Sequence, residues 1–225
     1  MTFRYLMLFA LTAAFPQPAL AENDFQQWVG LTARIDLSDA FSIQTDNQAR
    51  FSNDRGGLYQ LQSSILLAYK AAPNVTVAAG YLHSPNYNGG TFTTMERRAR
   101  EQVTVDNIVK LGPAVLGARL RTEQRWRDDT AGTAWRLRPY ARLSLPLGGK
   151  TDPTLHLSEE VFINLNTTRF EQVHGVERLR SAISLAIPIS STVRIDAGYL
   201  NQHRFIRDDE DRSEHILTGS LAISI

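Results

Sequence analysis

The 225-residue chain contains no cysteine, which excludes disulfide scaffolds, thiolate metal sites and cysteine nucleophiles. It lacks any stretch near the roughly 18 apolar residues that a spanning helix requires, so a helical membrane protein is excluded. A net charge of only +1 gives no reason to expect a nucleic-acid partner. Hydrophobic residues at 43% and charged residues at 21% exclude wholesale disorder. A membrane β-barrel survives these exclusions, because alternation hides its lipid-facing residues from any average.

The first 21 residues have the pattern of an export signal. Arg4 precedes an apolar stretch from Tyr5 to Phe15, and Ala19-Leu20-Ala21 supplies the small residues that signal peptidase reads. The alternative is a buried core helix. We expect cleavage after Ala21, which leaves residues 22–225 as the exported domain.

The remainder of the chain alternates between apolar and polar residues. One such run places Tyr59, Leu61, Ile65, Leu67 and Tyr69 on one face. At about 3.3 Å per residue and a tilt near 40°, Tyr59 and Tyr69 are about 25 Å apart in height, which matches the apolar band of a membrane barrel. The pattern predicts an all-β, antiparallel transmembrane barrel in the outer membrane of a Gram-negative bacterium. Its expected interfacial girdle comprises Tyr59, Tyr69, Tyr81, Trp126, Trp135 and Tyr199.

The strand count is open between ten and twelve. Ten connections imply eleven strands, but bacterial single-chain barrels normally have an even number. Either Trp28 to Leu37 is not a full wall strand, or the region from Asn164 to Gly175 hides a further one; twelve strands are favoured. Short periplasmic turns are expected near residues 38–39, 72–74, 112–113, 148–149 and 190–191. Longer outer loops are expected at residues 52–57, 84–94, 128–132, 164–175 and 207–212.

Charge collects on the predicted inward faces, where basic residues outnumber acidic ones. If each hairpin pairs around its turn, Glu123 falls between Arg100 and Arg138, and Glu160 falls between Arg138 or Arg142 and Arg180. The predicted charge network of the lumen comprises Arg98, Arg100, Arg121, Glu123, Arg125, Arg138, Arg142, Glu160, Arg178 and Arg180.

Two functions fit such a lumen. Interlocked ion pairs would form a structural plug, which the narrow bore of a small barrel favours. Alternatively, rows of arginine would form a narrow path that prefers anions. Both are non-enzymatic, and neither requires a cofactor or a metal.

Several segments resemble a known family. The segments "MERRAREQ", "RLRTEQRWR", "RLRPYARLSLPL", "SEEVFINL" and "ERLRSAISLAIPISSTVRIDAGYLNQ" resemble the uncharacterised bacterial barrel family called domain of unknown function 2490. The resemblance implies an outer-membrane location, with lipid, lipopolysaccharide and the barrel-assembly machinery as partners. It implies no activity, so it supplies no catalytic residue.

A barrel hydrolase is the rival hypothesis. No nucleotide-binding, hydrolase-elbow, zinc-protease or calcium-loop motif is present. An outer-membrane phospholipase or lipid A deacylase would need His and Ser beside the membrane, and His83, Ser84, Asn201 and His203 lie near predicted outer ends of strands. Because their spacing does not reproduce the phospholipase motif, we predict no enzymatic activity. The oligomeric state is left open.

Overall fold

The computed structural model describes residues 24–149, 151–207 and 209–225, so the expected signal peptide lies outside the described residues. Those ranges form eleven strands: β1 (Asp24–Asp36), β2 (Phe41–Ser52), β3 (Gly57–Ala72), β4 (Val75–Asn88), β5 (Thr91–Leu111), β6 (Ala114–Arg127), β7 (Thr130–Pro146), β8 (Thr154–Asn164), β9 (Gly175–Pro188), β10 (Val193–Arg204) and β11 (Arg212–Ser224). Within them, no helix is long and apolar enough to cross a membrane.

The strands close into one barrel in sequence order. Every neighbouring pair is antiparallel except β1 and β11, which are parallel and pair Trp28 with Thr218. The C-terminal residue completes the closure, since Ile225 exchanges backbone hydrogen bonds with Arg34 and Asp36 at 3.0 and 2.7 Å. An odd number of up-and-down strands makes the first and last run in the same direction, and a parallel ladder joins them.

The expected count of twelve strands is therefore wrong. Residues 28–36 belong to β1, which is a full wall strand. Residues 165–174, the suspected hiding place of another strand, form a loop between β8 and β9. The parity rule failed because it assumes antiparallel closure.

The two ends of the barrel differ. The loop end carries residues 53–56, 89–90, 128–129, 165–174 and 205–211. The turn end carries residues 37–40, 73–74, 112–113, 147–153 and 189–192, together with the C-terminus. The expected contrast in length holds only in part, because residues 84–94 are mostly strand around a turn at Gly89 and Gly90. Both glycines have positive φ, 54° and 79°, as a two-residue hairpin turn requires.

Polarity is inverted relative to a soluble protein. Large apolar side chains cover the outward face, with Val29, Ile65 and Leu67 more than half exposed. The buried inward face holds arginines and glutamates, among them Arg100 and Glu123. The alternation read from the sequence therefore separates an apolar exterior from a charged interior.

One expected girdle residue lies on the wrong face. Tyr59 points inward and is buried, where Trp28 Nε1 donates to its hydroxyl at 3.0 Å. The register shows why: Arg50 pairs with Gln60 and Phe51 pairs with Leu58, so Tyr59 is the extra residue of a β-bulge. A bulge puts two successive residues on the same side and breaks the alternation. The other expected girdle residues are exposed on the outward face, namely Tyr69, Tyr81, Trp126, Trp135 and Tyr199.

The three tryptophans offer a test of this arrangement. Trp126 and Trp135 are 38% and 45% exposed on the outward face, whereas Trp28 is 3% exposed in the lumen. We expect brominated lipids in vesicles to quench the fluorescence of the first two strongly and that of Trp28 weakly. Variants that retain one tryptophan, with phenylalanine at the other two positions, separate the signals. Equal quenching at all three positions would contradict the assigned faces.

Candidate functional site

Glu123 on β6 is the most deeply buried acid of the lumen. Its side chain has 0% exposure, and its Oε1 accepts hydrogen bonds from Arg100 Nε at 3.0 Å and Arg138 Nη1 at 2.8 Å. Arg98 Nη1 lies 3.6 Å from Oε2. Arg100 is the cross-strand partner of Glu123 on β5, and Arg138 comes from β7. One carboxylate thus balances guanidinium groups from both neighbouring strands.

A second buried acid, Glu160 on β8, extends the network along the wall. Arg138 donates to both of its oxygens at 3.0 and 2.9 Å and so bridges Glu123 and Glu160. Arg119 Nη2 lies 2.5 Å from Glu160, and Arg180 Nη1 lies 3.8 Å away. Because the planar fork of arginine can serve two carboxylates, this row links β5 to β9.

Two predicted members of the network lie outside the ion pairs. Arg142 is the cross-strand partner of Ser158, and its buried Nε has no hydrogen-bond partner in the described part of the chain. Arg121 donates to Gln102 Oε1 at 3.0 and 2.8 Å and forms no ion pair with a described acid. Of the two arginines that the sequence offered to Glu160, the structure therefore selects Arg138.

The loop of residues 165–174 folds into the loop end of the lumen. Its Glu171 pairs with Arg125 at 3.0 Å and with Arg136 at 2.7 Å. Asn164, at the end of β8, donates to the same carboxylate at 2.7 Å. Phe170 lies 5.7 Å from the Arg125 guanidinium. We call these contacts the Glu171 tether.

The tether holds Glu171 as a carboxylate. Burial alone would raise its pKa, but the guanidinium groups of Arg125 and Arg136 outweigh burial and hold the pKa below its usual value. The tether therefore depends on a charge that persists at neutral pH.

Aromatic rings lie among the arginines. Phe162 is 2% exposed, and the guanidinium groups of Arg138 and Arg180 lie over its ring at 4.3 and 4.6 Å. Trp28 lies between Arg50 at 3.8 Å and Arg180 at 4.8 Å. Such cation–π contacts hold the guanidinium groups in place without neutralising their charge.

Sequence reasoning missed several of these residues. Trp28 and Phe162 have the inward parity of their strands, so alternation could have revealed them. Glu177 could not be found in this way, because Phe162 pairs with Arg178 while Ile163 pairs with Val176. Glu177 is thus the extra residue of a second bulge, and it faces inward beside Arg178 at 2.9 Å.

Two chambers remain between these side chains. The larger, about 830 Å³, reaches the loop end at Arg55 and Asn88. The smaller, about 290 Å³, reaches the turn end at Arg34 and Ser224. Four residues line both chambers and form what we call the junction: Asp46, Arg100, Arg119 and Arg121.

The residues considered for a hydrolase are split by the strand. Ser84 is inward and fully buried, whereas His83 is exposed on the outward face, as alternation requires for neighbours in a strand. His203 and Asn201 lie on the outward face of β10, near the loop end. No cluster of three His, Asp or Glu side chains suited to a metal occurs within the described ranges.

The chain is similar to other proteins whose function is unknown. The model of the family DUF2490, described as a protein of unknown function, matches residues 25–214 and confirms the resemblance seen in the arginine-rich segments. An uncharacterised protein of Methylorubrum extorquens is 26% identical over 205 residues, covering 89% of this chain and 88% of that protein. Among solved structures, the siderophore receptor PirA from Pseudomonas aeruginosa is 14% identical with a TM-score of 0.30, covering 78% of this chain and 37% of that chain. The chain thus spans well under half of that receptor, and so low a TM-score gives no functional information.

Proposed function

The chain belongs to the DUF2490 family of proteins of unknown function, and we propose that it is an outer-membrane β-barrel whose lumen forms a narrow, anion-preferring pore. The membrane placement is supported by the apolar outward face, which a soluble monomer would expose to water at the risk of aggregation. The lumen itself is proposed to carry out no chemistry.

The observation that carries the pore is the pair of chambers. They reach opposite ends of the barrel and share the four residues of the junction. A solute that crosses the lumen therefore passes the guanidinium groups of Arg100, Arg119 and Arg121. Because the chambers lie between the ion pairs, the network supports the walls and leaves a central path.

The charge along this path favours anions. Thirteen arginines line the larger chamber, against five acids. Arg121 at the junction is bound only by Gln102, and Arg50 is bound by Gln48, Gln60 and Gln62, so glutamines orient both without cancelling their charge. Arginine-lined constrictions of this kind select for anions.

Planar-bilayer recording of the purified protein tests the pore. We expect small unitary currents in potassium chloride and, under a salt gradient, a reversal potential of the sign that indicates chloride preference. A folded, inserted barrel without current would overturn the pore, and a cation-preferring current would overturn the selectivity.

The membrane placement has a separate test. We expect the mature chain to begin at Glu22 and to co-fractionate with lipopolysaccharide and the outer membrane. Recovery as a soluble periplasmic protein would overturn the placement.

The Glu171 tether gives a prediction about the loop. Replacing Glu171 with glutamine removes the charge that Arg125 and Arg136 hold, so the loop should leave the lumen more often. We expect trypsin to cut after the exposed Arg169 on the order of tenfold faster at pH 7, because proteolysis follows the open population. The matched control is Glu210→Gln in the exposed loop between β10 and β11, which should leave the cleavage rate unchanged.

The same tether sets a direction with pH. Since the pKa of Glu171 is lowered in the folded state, the tether is complete above the ordinary glutamate pKa of about 4.3 and is lost only as the pH falls further. Wild-type conductance should therefore stay constant from pH 7 to pH 5 and change at lower pH. A change centred near pH 6 would contradict the role of Glu171.

A further inference from the structure

A serine, a histidine and an aspartate meet on the outward face at the loop end. His203 on β10 and Ser213 on β11 are direct cross-strand partners. His203 Nδ1 lies 3.4 Å from Ser213 Oγ, and its Nε2 lies 3.2 Å from Asp211 Oδ2. Their strand neighbours Gln202 and Glu214 are buried in the lumen, so alternation places this cluster outside it. We call these three residues the rim cluster.

The contacts suit a nucleophile, a base and an orienting group. Asp211 can only accept, so His203 Nε2 donates to it and Nδ1 is left with a lone pair facing the Ser213 hydroxyl. The other oxygen of Asp211 accepts from the Ile206 backbone N–H at 3.2 Å, which fixes the carboxylate. Phe205 packs edge-on against the imidazole at 4.8 Å. This is the tautomer and order that nucleophilic catalysis by serine requires.

The surroundings indicate the substrate class. Toward the turn end, the outward face beside the rim cluster becomes aromatic at Tyr199 and then apolar at Leu217 and Leu221. With the barrel in a membrane, acyl chains would lie along this apolar surface, and ester groups would sit at the level of the interface. We propose that Ser213, His203 and Asp211 form a hydrolase site for carboxylic esters of membrane lipids. This inference rests on the proposed membrane placement and is independent of the pore.

The reaction balances with water as the only co-reactant. Ser213 Oγ attacks the ester carbonyl while its proton passes to His203 Nδ1, and Asp211 stabilises the imidazolium. The C–O bond to the alcohol breaks, and the alcohol leaves with that proton. Water then gives a proton to His203 and attacks the acyl-serine, which releases the fatty acid and restores the Ser213 hydroxyl.

Covalent labelling tests the site without knowledge of the lipid. The full mature chain in detergent is treated with an alkyl fluorophosphonate, and the labelled residue is located by mass spectrometry. We expect labelling at Ser213, none there in Ser213→Ala, and a rate at least a hundredfold lower in His203→Gln. Asp211→Asn should slow labelling by tenfold or more. The control is Ser181→Ala, since Ser181 is an outward serine on β9 that donates to Glu159 and lies outside the rim cluster.

Two lipid preparations then identify the source of the ester. Release of fatty acid from phosphatidylethanolamine vesicles indicates a phospholipid substrate, and release from lipopolysaccharide indicates its acyl esters; either result supports the site if Ser213→Ala abolishes it. Labelling at another serine, or an equal rate in His203→Gln, would overturn the proposal. So would the absence of both labelling and release in a folded barrel. Because labelling is done in detergent, its failure is distinguishable from an error in membrane placement.

Discussion

Replacing Glu123 with glutamine is expected to lower the free energy of unfolding by about 3–5 kcal/mol, the usual cost of breaking a buried ion pair from one side. Glutamine keeps the shape and one acceptor oxygen but removes the charge. The guanidinium groups of Arg100 and Arg138, at 3.0 and 2.8 Å, and that of Arg98, at 3.6 Å, would then share less compensation. Water cannot restore it, because the Glu123 side chain is fully buried.

The measurement is denaturant unfolding of the barrel in lipid or detergent, followed by tryptophan fluorescence. Glu210→Gln makes the same chemical change at an exposed loop position and should alter the free energy by less than about 0.5 kcal/mol. A loss below about 1 kcal/mol for Glu123→Gln would show that water screens this position, and the network would then not support the walls.

The alternation of the sequence predicts much of this network. Once the hairpins are paired about their turns, Arg100, Glu123 and Arg138 are assigned to one row, and the structure places them in contact. Alternation also places His203 and Ser213 on one face, although their direct pairing depends on the register of the last hairpin. Period-two patterns carry this information because each residue's face follows from its parity.

The rest could not be read from parity. The bulges at Tyr59 and Glu177 each add one residue, which changes the face of a side chain without any change in the local pattern. Glu171 and Asp211 lie in loops, where no periodicity assigns a direction. The parallel closure depends on the number of strands in the whole chain, which no single segment reveals. These are tertiary features, so only the structure brings them to the site.

Replacing Arg121 with glutamate is expected to reverse the ion preference of the pore. The change moves the junction by two charges, at a residue that is bound only by Gln102 and that lines both chambers. One unit charge about 6 Å from an ion contributes about 0.7 kcal/mol even at the dielectric constant of water. Two charges act in opposite directions on anions and cations, so the permeability ratio should fall by well over tenfold. Reversal potentials under a salt gradient measure this ratio directly.

The control for this prediction is Arg169→Glu, which makes the same change at an exposed loop residue that lines neither chamber. It should leave the permeability ratio almost unaltered, because exposed charges more than about 8–10 Å from the path are screened at physiological salt. The Arg121 variant should still fold, since Arg100 and Arg119 line the same junction and would face the new carboxylate. If both variants shift selectivity equally, the surface rather than the junction sets it. An unchanged ratio for Arg121→Glu in a conducting barrel would mean that ions take a path that avoids the junction.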